Sequence, residues 1–322
     1  MYFTSTVWAM PTNPWSRSTE ASSCESGRCL ATSQKSNIMK FCEELKDRAS
    51  WTQDWQCQNT AIFDDGNDRN ILYNLRRKPQ NSLTAEEKAI LQAADRYGNV
   101  GFCSKAGGNA TLIMHNGRPA IVTSAHMFYD FKTGKPKCSN KELQSASYMP
   151  NVSYYDSENG QYPKSLTHKK VGLEMPPVAM ERKKLGAGFR PEDDFVIIYL
   201  KEDITKDMMP NGNVRGAMSY ATGSAMGSGE LHMIGIAPDI RQGLATLHQT
   251  CRYKGIKFVG LSHDCDTVRG SSGSMLAVMQ DGELKLRAVH AGSIYGNDVV
   301  PATDDYLDWN FATDFVGNKH LR

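Results

Sequence analysis

The chain has 322 residues, 40% of them hydrophobic and 22% charged, with 27 glycines, 13 prolines and a formal net charge of +2. That length can hold two or three domains, and that apolar fraction with its glycines and prolines suits a loop-rich β protein with a real core. The near-balanced charge argues against a dedicated polyanion binder, and no apolar run reaches the length that spans a bilayer.

Residues 1 to about 35 are rich in Ser, Thr and Pro and read as irregular, and Met1 to Trp15 lacks the basic start and apolar core of a secretory leader. Helices follow. Ile38 to Leu45 has helical spacing of apolar residues, and Thr84-Ala85-Glu86-Glu87 is a capping box that opens a helix through Leu91 and Ala94. Residues 1–95 thus form a helical and irregular extension ahead of a different kind of body. A pro-segment is its functional reading, with cleavage near Arg76-Arg77-Lys78 or Arg96, and a permanent accessory domain is the alternative.

From Asn99 the pattern changes to short strands: Val100 to Phe102, Thr111 to Met114 and Ala120 to Thr123, the last two joined by the hairpin pair Asn116-Gly117. The third strand runs into Ser124-Ala125-His126, small residues that leave room beside an imidazole at a strand end. Asn109-Ala110-Thr111 and Asn151-Val152-Ser153 match the N-glycosylation pattern, relevant only in a eukaryotic secretory pathway. The basic residues Lys164, Lys169, Lys170, Arg182, Lys183 and Lys184 have no aromatic residues interleaved, so they read as a solvated loop face and not a nucleic-acid site. Asp193-Asp194 then precedes a nearly continuous apolar strand, Phe195 to Leu200, which roots Asp194 in a core.

A second strand series follows Met208-Met209-Pro210-Asn211-Gly212: His232 to Ala237, Thr246 to His248, Ile256 to Val259, Met275 to Met279 and Leu284 to His290. The expectation is an all-β body of two antiparallel barrels, 96–203 and 204–322, with a cleft between them. Just before Met275 stands Gly270-Ser271-Ser272-Gly273-Ser274. A Gly-Ser string by itself is usually a flexible turn, and a lone His126 or Asp194 is unremarkable. Together they supply a nucleophile in Ser272, a general base in His126, an orienting carboxylate in Asp194, and the amides of Gly270 and Ser272 for an oxyanion.

The eight cysteines, with no Cys-x-x-Cys pair, favour disulfides over zinc. They fall into blocks: Cys24, Cys29, Cys42 and Cys57 in the extension, Cys103 and Cys138 around the His126 strand, and Cys251 and Cys265 before Ser272. Bonds kept within each unit pair Cys103 with Cys138 and Cys251 with Cys265, and place the protein in a secreted or periplasmic setting.

Thr123-Ser124-Ala125-His126, Asp194-Phe195-Val196-Ile197-Ile198 and Gly270-Ser271-Ser272-Gly273-Ser274, in that order, resemble the trypsin-like serine proteases, and within them the bacterial glutamyl-endopeptidase branch. The resemblance covers residues 96 to 322. It implies a two-barrel fold, a Ser-His-Asp hydrolase of protein or peptide substrates, and no metal or cofactor. It also implies a primary pocket lined by Thr267, His290 and Ser293, suited to Glu before the scissile bond, whereas Asp266 occupies the place of an acid that selects Arg or Lys. Ser271 stands where trypsin-branch enzymes carry the aspartate that answers a new amino terminus, and Met275 where the family usually has proline. The alternatives are a catalytically silent peptide-binding module and an envelope adhesin.

Overall fold

The computed structural model describes residues 70–102, 106–130, 135–155, 169–175, 194–223, 229–236, 246–256, 261–265, 267, 270–293 and 310–316. The predicted helix at Ile38 to Leu45, Cys24, Cys29, Cys42, Cys57, Cys103, Asp266 and most of the basic run lie outside them. The described chain begins with β1 (Asn70–Ile71), α1 (Leu72–Arg76) and α2 (Ala85–Ala94). The predicted capping box opens α2: the Thr84 hydroxyl accepts from the Glu87 amide, and the Glu87 carboxylate accepts from the Thr84 amide.

The first sheet runs in the order β6 (Val171–Gly172), β5 (Ser147–Pro150), β2 (Tyr97–Phe102), β3 (Ala106–His115), β4 (Arg118–Thr123), β7 (Val196–Tyr199). All of its ladders are antiparallel. The Leu173–Leu200 bridge, with Lys201 donating to Gly172 and Glu174 to Tyr199, each at 2.9 Å, joins β6 to β7 and closes the sheet into a barrel. Closure removes the open edges that would otherwise pair with other chains. The β3–β4 turn is the predicted Asn116-Gly117 pair, with φ of 51° and 73°.

The second sheet runs β1, β9 (Thr246–Ile256), β10 (Leu261–His263), β13 (Asn310–Asp314), β12 (Glu283–Ser293), β11 (Met275–Gln280), β8 (Glu230–Ile236). Because β8 pairs with β9 as well as with β11, its ladder also returns on itself, and β1 joins as an added strand beside β9. Of the predicted strand Ile256 to Val259, only Ile256 is described, as the last residue of β9. The body is therefore two antiparallel β-barrels, the all-β class expected, with a helical segment in front.

Three apolar clusters explain why the strands nearest the barrel contact read as unbroken apolar runs. Val196 and Ile198 of β7, with Leu112, Ile121 and Tyr148, fill the first barrel. Leu231, Met233, Leu276 and Ala288 fill the second. The alternate residues, Phe195, Ile197, Ile234, Met275 and Ala277, face neither interior; they meet in a third cluster with Leu72, Leu83, Ile90 and Leu91 of the helical segment. Strands buried on both faces need apolar residues at every position. On β12 the phase changes, Leu284 and Leu286 joining the shared cluster while Ala288 turns into the barrel, because a bulge opposite Leu276/Ala277 inserts Arg287.

The packing buries the asparagines of both Asn-x-Ser/Thr patterns. Asn109 is fully buried, and Asn151 is 7% exposed with its Oδ1 accepting from Arg215 at 2.8 Å. Neither amide is accessible to a transferase in the folded protein. Among the described residues no helix is long and apolar enough to cross a membrane.

Candidate active site

The register of β4 against β7 brings His126 and Asp194 together. Thr123 pairs with Val196, so the residues just beyond each, His126 in the short 3-10 turn Ala125–Met127 and Asp194 before Phe195, leave the same end of the barrel as neighbours. Asp194 holds His126 at two points: its Oδ1 accepts from the His126 amide at 2.8 Å, and its Oδ2 lies 2.6 Å from His126 Nδ1. A carboxylate only accepts, so Nδ1 carries the ring proton and Nε2 is left with a lone pair. That lone pair faces Ser272 Oγ at 2.8 Å. The imidazole side chain is 12% exposed and the carboxylate 4%, so the pair is largely withdrawn from water while the ring keeps a solvent-facing edge.

Ser272 comes from the second barrel. Its turn leads into β11 and is fastened to β12: Gly273 donates to His290 O at 2.8 Å and His290 donates to Ser274 O at 2.9 Å. The same His290 carbonyl accepts the Ser124 hydroxyl at 2.8 Å, a tie from the strand-end segment that carries His126 to β12 behind Ser272. Ser274 N donates to Ser271 O at 3.0 Å, which draws that carbonyl into the turn and, in a trans peptide, aims the Ser272 N–H the opposite way. Gly270 has φ of 103°, a conformation that a residue with a Cβ adopts only under strain.

The residues expected to line the primary pocket divide. Asp266 lies outside the described residues, and of Ser293 only the backbone is described, pairing with Asn310. Thr267 is buried, its hydroxyl donating to Asn310 Oδ1 at 2.9 Å while Asn310 Nδ2 donates to Cys265 O at 2.7 Å. His290 is buried beside His263, their Nδ1 and Nε2 3.2 Å apart. Burial holds both imidazoles neutral, His263 at about 3 and His290 well below the ordinary histidine value, the latter lowered further by His263 and His126. Cys265 N donates to His263 Nδ1 at 3.3 Å, so the proton of neutral His263 sits on Nε2 and is given to His290 Nδ1. His290 must then carry its own proton on Nε2.

The Cys251–Cys265 disulfide is present and ties β9 to the segment that leads to the Gly270–Gly273 turn. Cys138 is also disulfide-bonded; its expected partner Cys103 lies outside the described residues. Because Cys251 and Cys265 are joined, the buried grouping Cys251, His263 and Cys265 offers no thiolates to a metal.

Two residues that fasten this geometry carry no local signal of it in the sequence. Asn310 fixes the chain at Thr267, and Asn109, noted only for its Asn-x-Thr pattern, reaches the Gly270–Gly273 turn from β3. Their partners lie 43 and 45 residues away for Asn310 and 161 and 163 for Asn109, beyond any local pattern.

No family model and no curated protein matches the sequence. Among solved structures the chain is similar to a thermostable serine protease, AL20, from an extremophilic microorganism (15% identity, TM-score 0.46, covering 70% of this chain and 94% of that one). It is similar also to a Glu endopeptidase in complex with MPD (16%, 0.48, 76% and 89%) and to the protease Anisep from Arthrobacter nicotinovorans (11%, 0.47, 69% and 90%). At these identities and scores the likenesses say nothing about the chemistry of the site, which rests on its own geometry.

Proposed function

We propose that the chain is a serine endopeptidase in which Ser272 is the nucleophile, His126 the general base and Asp194 the group that orients and stabilises the imidazole. The observation that carries this reading is the continuous relay Asp194 Oδ2, His126 Nδ1, His126 Nε2, Ser272 Oγ, with separations of 2.6 and 2.8 Å, assembled from segments 68 and 146 residues apart.

In the proposed reaction Ser272 Oγ attacks the peptide carbonyl as His126 Nε2 takes its proton, and Asp194 stabilises the imidazolium that results. The amides of Gly270 and Ser272 donate to the oxyanion; the loss of one such donor elsewhere costs about 100- to 1000-fold in rate. Collapse of the tetrahedral species expels the amine with the proton from His126, and water then repeats the sequence on the acyl-enzyme.

Glu is the proposed residue before the scissile bond, with Arg or Lys second. The proton relay from Cys265 N through His263 supports it, because it leaves His290 as a neutral Nε2–H donor suited to a carboxylate. Thr267 contributes less than expected, since its proton goes to Asn310. The disulfides at Cys138 and Cys251–Cys265 support an oxidising, secreted or periplasmic setting.

The test is digestion of a diverse peptide library by the purified protein beside Ser272→Ala. Cleavage after Glu that disappears in Ser272→Ala is expected. Cleavage after Arg or Lys would overturn the specificity, and cleavage that survives in Ser272→Ala would overturn the mechanism.

A further inference from the structure

The polar group in the most demanding position outside the triad is Asn109. It is fully buried at the point where the two barrels meet, and both ends of its amide are saturated. Nδ2 donates to Gly270 O at 2.8 Å and to Ser272 O at 3.1 Å. Oδ1 accepts from the Tyr97 hydroxyl and from the Ile236 amide, the latter at 2.9 Å. The backbone takes part too: Asn109 N donates to Ser272 O at 3.0 Å, and the Asn109 carbonyl accepts the Thr123 hydroxyl. The roles cannot be exchanged by rotating the amide, because Ile236 N can only donate and the two turn carbonyls can only accept.

We infer that Asn109 is a positioning residue for the nucleophile, its side-chain amide locking the backbone of the Gly270–Gly273 turn so that Ser272 Oγ meets His126 and the turn amides face the reacting carbonyl. The inference rests on the serine-hydrolase reading above. Holding Gly270 O fixes the plane of the peptide between residues 270 and 271, and holding Ser272 O fixes the plane between 272 and 273. Ser271 and Ser272 lie between those planes, and Ser274 N holds the intervening peptide through Ser271 O, so the Ser272 torsions are constrained from both sides. The turn needs such constraint: Gly270 and Gly273, with φ of 103° and 79°, have the freedom to relax elsewhere. The clamp comes from β3, which belongs to the barrel that carries His126 and Asp194, so the same amide sets the nucleophile against its base across the barrel boundary.

A polar atom lost here also leaves buried partners unmet, so an effect on stability has to be separated from an effect on positioning. Asn109→Ala and Asn109→Gly keep the backbone bonds and remove the clamp. Asn109→Asp keeps an acceptor for Tyr97 and Ile236 but turns an oxygen onto the two carbonyls. Tyr97→Phe removes one Oδ1 partner and leaves both Nδ2 contacts, which makes it the stability control.

The measurements are kcat, KM and the pH profile on a peptide substrate, the rate of Ser272 labelling by a fluorophosphonate, and the melting temperature of each full-length variant. Expected is a drop in kcat and in labelling rate of about 10- to 100-fold in the Asn109 variants, the scale set by small misplacements of reacting groups. KM and the acid limb of the pH profile should stay near wild type, because the hydrogen bonds of Asn109 go to Tyr97, Thr123, Ile236, Gly270 and Ser272 and not to His126 or Asp194. Tyr97→Phe should lose at least about 10-fold less kcat than Asn109→Ala at a comparable melting temperature. Folded Asn109 variants that label and turn over at the wild-type rate overturn the inference. So does an equal loss in Tyr97→Phe, and so does failure of all three Asn109 variants to fold, which would assign the residue to stability alone. Absence of labelling in the wild type would overturn the hydrolase reading itself, and the inference with it.

Discussion

Gly273 shows how tightly the turn is built at the scale of one residue. Its φ is 79°, and a Cβ there would run into the Asn109 carbonyl and the Thr123 hydroxyl. Left-handed backbone costs a residue with a Cβ about 1–2 kcal/mol, and overpacking a filled site about 1–3 kcal/mol more. Gly273→Ala is therefore expected to lower stability by about 2–5 kcal/mol and to abolish Ser272 labelling, measured by denaturant unfolding and fluorophosphonate reaction. A folded, fully reactive Gly273→Ala protein would contradict the close approach. The glycine was legible in the sequence as part of a turn; its need was not, because the atoms it must clear belong to another barrel.

At the scale of elements, the segment from Asn70 to Ala94 is bound into the body. Leu72, Leu83, Ile90 and Leu91 are each at most 6% exposed and share a cluster with both barrels, and β1 pairs with β9. Arg76 donates to Asp95 and to Ser153, each at 2.7 Å, and its guanidinium stacks 3.6 Å from the centre of the Tyr154 ring. Asp95 accepts from Tyr154 at 2.9 Å, and Arg215, between the barrels, donates to the Asp95 carbonyl at 2.7 Å. Burying four large aliphatic side chains is worth about 6–12 kcal/mol in all, comparable with the total stability of an ordinary domain. A protein lacking residues 1–95 is accordingly expected to lose its cooperative melting transition and its activity. An intact transition and full turnover in that deletion would show the segment to be dispensable, as a pro-segment is. The capping box announced α2 because its signal spans four residues; where α2 docks depended on apolar faces contributed by strands more than a hundred residues further on.

Across the whole molecule, histidine burial sets the response to acid. His232 and His248 stack within one barrel and His263 meets His290 near the site, and burial lowers all four, His248 and His263 to about 3. In the unfolded chain these rings take up protons near pH 6.5, whereas the folded protein resists until far lower, so the unfolded state binds more protons throughout that window. Stability is thus complete above about pH 6.5 and falls as the pH drops toward about 3, by up to about 1.4 kcal/mol per pH unit for each of His248 and His263. Melting temperatures that do not change between pH 7 and pH 4.5 would refute this. The sequence by itself determined the elements: period-two and doubly apolar runs for the strands, Asn116-Gly117 for a hairpin, Thr84 to Glu87 for a helix start, and small residues and glycines around His126 and Ser272. These rest on interactions between near neighbours in the chain, which local patterns encode. What only the tertiary structure decided was the meeting of distant surfaces: the register that sets Asp194 beside His126, the amide of Asn109 on the Gly270–Gly273 turn, and the tautomers of His263 and His290. Each depends on pairing and burial between segments far apart, and such contacts leave no periodicity along the chain to be read.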